Sequence, residues 1–232
     1  SDGSVLDGAG YGYVWSSMLS TNSFTDGLLL YFNMDEVCLS DNLGRGAGVS
    51  VRGIIETSGN TNGHSYVDLG LPSGTLWAAQ NVGASKPSDV GFYFQWGDTK
   101  GYTAEQVGRD EGKKLFGWYD YKWSINGSDS NFSKYTSESL ELKDDAAHIN
   151  MGGDWHIPTP EQFEELFFFV DFKFTTLDGV GGVAVTSKND SSKSIFIPAT
   201  GYALNGSVIK SGEGSATWFN MLASNYNGSC IY

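Results

Sequence analysis

The hydrophobic positions of this chain fall in short runs separated by Gly-, Asn- and Ser-rich breaks. LLLYF (28–32) and VCL (37–39) flank the polar NMDE, a pattern that predicts a two-stranded hairpin. GVSVRGII (48–55) alternates, so a further strand is expected, with Val49, Val51 and Ile54 inward and Ser50 and Arg52 outward. Residues 66–83 read as a short strand, a Pro-Ser-Gly turn and a second strand, TLWAAQNV. In DVGFYFQWGDT (89–99) alternation places Phe92, Phe94 and Trp96 on one buried face. The period then changes. SLELKDDAAHIN (139–150) suits a short helix, and GGDWHIPTPEQFEELFFFV carries a full helix start. Thr159 is the N-cap, Pro160 the first helical residue and Gln162 the partner that completes a capping box. Phe163, Leu166, Phe167 and Val170 follow on one helical face, and Pro158 and Phe163 suit a hydrophobic staple. GVAVTSK (182–188) and SIFIPATGYAL (194–204) return to strand. Short strands with two helices and long loops define an α+β class with a mainly antiparallel sheet.

Two stretches break this pattern. TSGNTNG (57–63) is a polar linker, the one clear change of composition. Residues 100–140 are irregular and polar, yet hold exposed-looking aromatics in FGWYDYKWS (116–124). A loop of that length in a compact domain is usually functional or mobile. There is also a repeat. GSVLDGAGYGYVWSSMLSTNSF (3–24) lies over GSVIKSGEGSATWFNMLASNYN (206–227) without a gap, with Trp15 on Trp218, Met18 on Met221 and Leu19 on Leu222.

At 232 residues the chain is long enough for a sizeable core. Its formal charge of −13 repels phosphate backbones and anionic lipid, so nucleic-acid and membrane-surface binding are not expected. LLLYF and LFFFV are too short to span a bilayer, and no signal peptide is visible. Cys38 and Cys230 form no CxxC pair, and sequence does not fix their redox state. Asn-x-Ser sequons at Asn126, Asn131, Asn189, Asn205 and Asn227 mark exposed polar loops more than glycans.

Signals for catalysis are sparse. The histidines are His64, His148 and His156, and no GxSxG elbow is present. Asp144–Asp145 and Glu164–Glu165 read as solvated charge on helix faces. No enzyme activity, cofactor or metal site is therefore expected. Calcium is the one cation left open, by the acidic charge and by Asp129 and Asn131 at EF-hand-like spacing without that loop's Gly and terminal Glu. Ligand binding has better candidates. Trp118, Tyr119, Tyr121 and Trp123 concentrate aromatic rings in a polar region, where exposed faces stack on sugars or anchor protein partners. The competing reading is that these rings pin the loop to the core. Trp218, Asn220, Asn225, Tyr226 and Asn227 make a second, adaptable Asn/Ser/Tyr surface, with an ordinary polar turn as its alternative.

The order VDLGLPSGTLWAAQNVG, FYFQWGDT, DDAAHINMGGDWHIPT with EQFEEL, then SIFIPATGY, resembles the Fibrobacter succinogenes major paralogous domain family of secreted Bacteroidetes-type proteins. YVWSSMLS, LLLYFN and GVSVRG resemble that family's closing elements. The resemblance implies a C-type-lectin-like fold, shared with formylglycine-generating enzymes and with the variable proteins of diversity-generating retroelements. It also implies an extracellular or cell-surface setting. The reactive cysteine pair of the enzymes and the EPN, QPD and WND triplets of calcium lectins have no counterpart. His156 stands where basic residues are usual in the family, which suits capping or pairing. In the family's order the WSS…LYF…SVR segment comes last; in this chain it comes first. Residues 1–56 are thus read as the closing segment of a unit, 57–63 as a linker and 64–232 as its opening and central part. The two parts share one core within the chain or with a neighbour, or else belong to successive units of a tandem array.

The function expected is a ligand-binding or adhesion module that recognises a glycan or a surface protein. The alternatives are a structural subunit assembling head-to-tail through the 206–232/1–32 overlap, and a retroelement-type variable receptor-binding protein.

Overall fold

The structure is a computed structural model that describes residues 10–107, 115–135 and 139–209. Strands β1 (Gly12–Leu19), β2 (Asp26–Phe32) and β3 (Val37–Gly44) form an antiparallel meander. β4 (Val49–Ser50) lies parallel to β1 on its other side, and β5 (Ile54–Ile55) follows it in the chain. After residues 57–63 come β6 (Tyr66–Asp68), β7 (Leu76–Ala78), β8 (Tyr93–Phe94) and the one-turn helix α1 (Ala104–Val107). A 3-10 turn over Leu142–Asp144 leads into α2 (Ala146–Met151). Helix α3 (Pro160–Phe169) runs directly into β9 (Val170–Leu177), followed by β10 (Val180–Ser187), β11 (Ser194–Pro198), β12 (Tyr202–Leu204) and β13 (Ser207–Ile209). The class is mixed α+β with strands dominant. Among the described strand pairs only β1–β4 is parallel.

The central sheet has the order β3-β2-β1-β4-β8. It joins residues from both sides of the 57–63 stretch, since Val49 pairs with Phe94 and Ser50 with Tyr93. A second sheet, β5-β7-β6, does the same through Ile54–Trp77 and Ile55–Leu76. The core is equally mixed. Trp15, Leu29, Val49 and Val51 pack with Trp96, Trp155 and Ile157 on one side. Val14, Leu30 and Phe32 pack with Trp77, Phe163, Leu166 and Val183 on the other. Neighbours Val14 and Trp15 thus enter different cores, and the central sheet is buried on both faces. That is why LLLYF is a continuous apolar run rather than an alternating one.

Burial on both faces also overturns one expectation. Ser50 and Arg52 do not point to solvent; both are fully buried. The Ser50 hydroxyl donates to Tyr13 O at 2.7 Å. Arg52 donates from Nη1 to Ala78 O at 2.9 Å and from Nη2 to Phe196 O at 2.8 Å, clamping β7 to β11. Burial without an acidic partner pulls the Arg52 guanidinium down to about 9.

The helix start of α3 is as its sequence requires. Thr159 Oγ1 accepts from Gln162 N, and Gln162 Oε1 accepts from Thr159 N. Phe163, Leu166 and Phe167 face the core, and the helix ends where β-branched Val170 opens β9. Strand β9 is not foreseen from the sequence. Its alternating Phe172 and Phe174, and the Asp178–Gly179 turn with φ of 53° and 80°, are the hairpin signals it carries.

The acidic pair Asp144–Asp145 corrects a second expectation, for both are buried. Asp145 caps α2, accepting from His148 N at 2.9 Å and from Ile157 N at 2.8 Å. Burial raises its carboxyl, and those backbone donors act against the rise. Glu165 is likewise engaged, accepting from Ser73 N and Ser73 Oγ.

The 57–63 stretch is docked. β5 and β6 both run antiparallel to β7, so the chain between them must return past β7. It does so along the GGDW turn. Asn60 N donates to Asp154 Oδ2 at 2.7 Å, Asp154 N to Asn60 O at 3.0 Å, Asn62 Nδ2 to Met151 O at 2.7 Å and Trp155 Nε1 to Thr61 O at 2.8 Å. Gly153, at φ 60°, has Asn60 O 2.0 Å from where a Cβ would stand, so only glycine fits there.

Candidate functional site

The aromatic loop 115–135 is fastened to the scaffold from beneath. Asp120 accepts from Phe116 N at 2.8 Å and Gly117 N at 2.7 Å, closing the first turn. Phe116, at φ 64°, inserts between Tyr93 and Tyr102, and the missing side chain of Gly48 makes room for its ring. Gly206 N and Asn205 N donate to Leu115 O and Phe116 O, which ties the loop to the β12–β13 hairpin. Gln95 Nε2 donates to Gly46 O and Gly117 O. The second half folds back on itself through a Ser124–Phe132 bridge, with Ile125 N donating to Asn131 O and Ser133 N to Trp123 O, both at 2.9 Å.

Two charged groups complete the anchorage. Arg45 is fully buried, donates from Nη1 to Tyr135 O, and stands 3.5 Å over the Phe132 ring. Its Nε and Nη2 have no hydrogen-bond partner among the described residues, so the aromatic face takes their place. Burial lowers its pKa, with Tyr121 and Asp26 acting the other way. Asp144 gathers Lys134 at 2.6 Å, Tyr135 Oη at 2.6 Å and Lys122 at 3.1 Å. Burial alone would raise the Asp144 carboxyl; these three donors outweigh it and hold it at about 2. The two ammonium groups also lie over Trp123, at 4.5 and 5.2 Å from its ring centre.

On this base the aromatic candidates separate. Tyr121 is core, 2% exposed, and its hydroxyl donates to Trp96 O at 2.9 Å. It presents no face to a ligand, and for this ring the pinning reading holds. Trp123 is half-buried, wedged by Lys122, Lys134 and an edge contact to Tyr135. Trp118 is half-buried and lies across Gly44 and Gly46, where any Cβ would come within 3.0 Å of its ring. Tyr119 is 93% exposed. Its ring rests against Gly127, in the turn where Asn126 and Gly127 take φ of 57° and 73°.

Two neighbours escape sequence reading. Phe24, 43% exposed, packs edge-on to Phe132, which also meets Trp118; Ile125 is 37% exposed beside the same turn. Phe24 sits in the polar STNSFTD, so the criterion that marks Trp118 would have marked it too. Trp218, Asn220, Asn225, Tyr226, Asn227 and Cys230 lie outside the described residues.

The three histidines, scattered in sequence, all border Trp155. The His64 ring meets its ring edge-on at 6.4 Å, His148 Nδ1 is 3.2 Å from its carbonyl, and His156 follows it and bridges to Ile54. Among the described residues no group of three or more His, Cys, Asp or Glu side chains is placed to hold a metal ion. No described helix is long and apolar enough to cross a membrane. Comparison with protein-family models, with curated proteins and with solved structures gives no match for this chain.

Proposed function

We propose that this chain is a non-enzymatic ligand-binding or adhesion module of an extracellular or cell-surface bacterial protein, built on the C-type-lectin-like fold its motifs resemble. The observation that carries the reading is Tyr119. A large ring with 93% exposure stands on a loop whose first turn is closed by Asp120 and whose start is hydrogen-bonded to the β12–β13 hairpin. Core-pinning accounts for Phe116 and Tyr121 but not for Tyr119. Trp118 precedes it in the chain and packs on Phe132, which also meets the partly exposed Phe24; these rings offer apolar surface for a glycan or a surface protein. The test is binding of the labelled chain to a glycan array and to intact bacterial and host cells. Loss of binding in Tyr119→Ala with an unchanged melting curve supports the reading; no binding to any of these surfaces contradicts it.

Head-to-tail assembly by strand exchange is the second reading, favoured by the match of 215–222 to β1. In β1, Trp15 Nε1 donates to Phe94 O at 2.9 Å, and Trp218 is its counterpart in the repeat. Other positions fit poorly. Ser215 would replace Gly12, where a Cβ meets the Phe32 ring at 1.9 Å, and Phe219 would replace the fully buried Ser16. This reading predicts concentration-dependent oligomers that vanish when 206–232 is deleted; the misfit predicts a monomer. The retroelement-type reading rests on Asn220–Asn227 and would show as sequence variation concentrated there.

A further inference from the structure

We infer that Tyr119 is a stacking platform for one neutral sugar ring, bound without calcium; this rests on the binding-module reading. A Cβ at Gly127 would fall 2.3 to 2.8 Å from Tyr119 Cδ1, Cε1 and Cγ, so the turn backbone touches the ring at one point while 93% of the residue's surface stays open. The supporting turn offers uncharged hydrogen-bonding groups, from exposed Asn126, Ser130 and Asn131 and half-buried Ser128. An exposed ring face beside a turn that carries amides and hydroxyls suits a pyranose, which has an apolar C–H face and an equatorial rim of hydroxyls. A protein hot spot is instead built from a cluster of anchors in a desolvated pocket, which a ring this exposed does not provide.

Charge narrows the class further. The loop's cations are committed: Lys122 and Lys134 both bind Asp144. The Asp120 carboxylate is turned to the backbone amides of Phe116 and Gly117. Nothing on the turn is left to neutralise a uronic or sialic acid, and the chain's net charge of −13 repels one. Calcium needs six to eight oxygen ligands, roughly, usually with several carboxylates. Asp129 is the one acidic side chain on the 124–132 turn, so sugar contact must come through stacking and direct hydrogen bonds.

Native electrophoresis of the full chain through gels containing galactomannan, xyloglucan, mixed-linkage β-glucan or polygalacturonate, with and without EDTA, tests this. The expected result is retardation by at least one neutral polysaccharide, unchanged by EDTA. Tyr119→Ala should weaken it about tenfold, Tyr119→Trp should retain it, and both variants should melt like the parent. Retardation by polygalacturonate alone, loss in EDTA, or full retention in Tyr119→Ala would overturn the inference. No retardation in any gel overturns the sugar class as well. The binding-module reading falls only if the cell-surface assay is negative too.

Discussion

The 57–63 stretch and the 115–135 loop are both glycine-bearing and break the strand pattern of the chain. Both are fastened to the scaffold, but by different means. The first is held by Asn and Thr main-chain and side-chain hydrogen bonds to the GGDW turn, and it carries no aromatic ring. The second is held by inserted rings and buried charge, and it displays a ring outward. On the proposed reading, the difference separates a connection from a binding surface. A connection needs only its own backbone satisfied. A binding surface also has to leave a large ring exposed.

Substitutions that cut each anchorage sharpen this contrast. The largest effect is expected in Gly153→Ala, which drives a Cβ into Asn60 O at an unfavourable φ and should cost about 3 kcal/mol in urea unfolding. A null result there would mean that the connection is not docked. Asp144→Asn comes next. Asp144 is held at about 2, below the usual carboxylate value of 3.8, so its contribution is full above about pH 4 and is lost as pH falls through about 2. Removing it should cost about 2 kcal/mol at pH 7 and flatten the acid limb of stability against pH. Tyr121→Phe loses one buried hydrogen bond to Trp96 O, for about 1 kcal/mol by thermal melting. Tyr119→Ala should change stability by less than about 0.5 kcal/mol, although it removes a larger group two residues away.

Local rules made much of the fold legible. The Thr159–Gln162 capping box is written in four residues, and the hairpin of β2 and β3 in twelve. Long-range coverage was not legible. Ser50 and Arg52 read as solvent-facing because alternation assumes one wet face; β7 and β11 cover Arg52, and Tyr13 and Thr200 meet Ser50. Asp144 read as solvated because Lys122 and Lys134, distant in sequence, supply its partners. The aromatic loop was recognisable by composition. Which ring turns outward was not, because Tyr119 and Tyr121 differ only in what the scaffold places beneath them: Gly127 under one, Trp96 and Phe132 around the other. The same coverage gives the repeat a physical meaning. Gly12 is small because the Phe32 ring leaves no room, and Ser16 is fully buried, so the copy around Trp218, with Ser and Phe at those positions, is not a simple duplicate of β1.

The most direct test of Tyr119 as a displayed ligand contact is a paired measurement on Tyr119→Ala, with binding and unfolding read on the same preparation. The account predicts an unfolding curve superimposable on the parent and an affinity for the captured surface or polysaccharide lower by about tenfold. Equal affinity, or a loss of binding accompanied by an equal loss of stability, would contradict it.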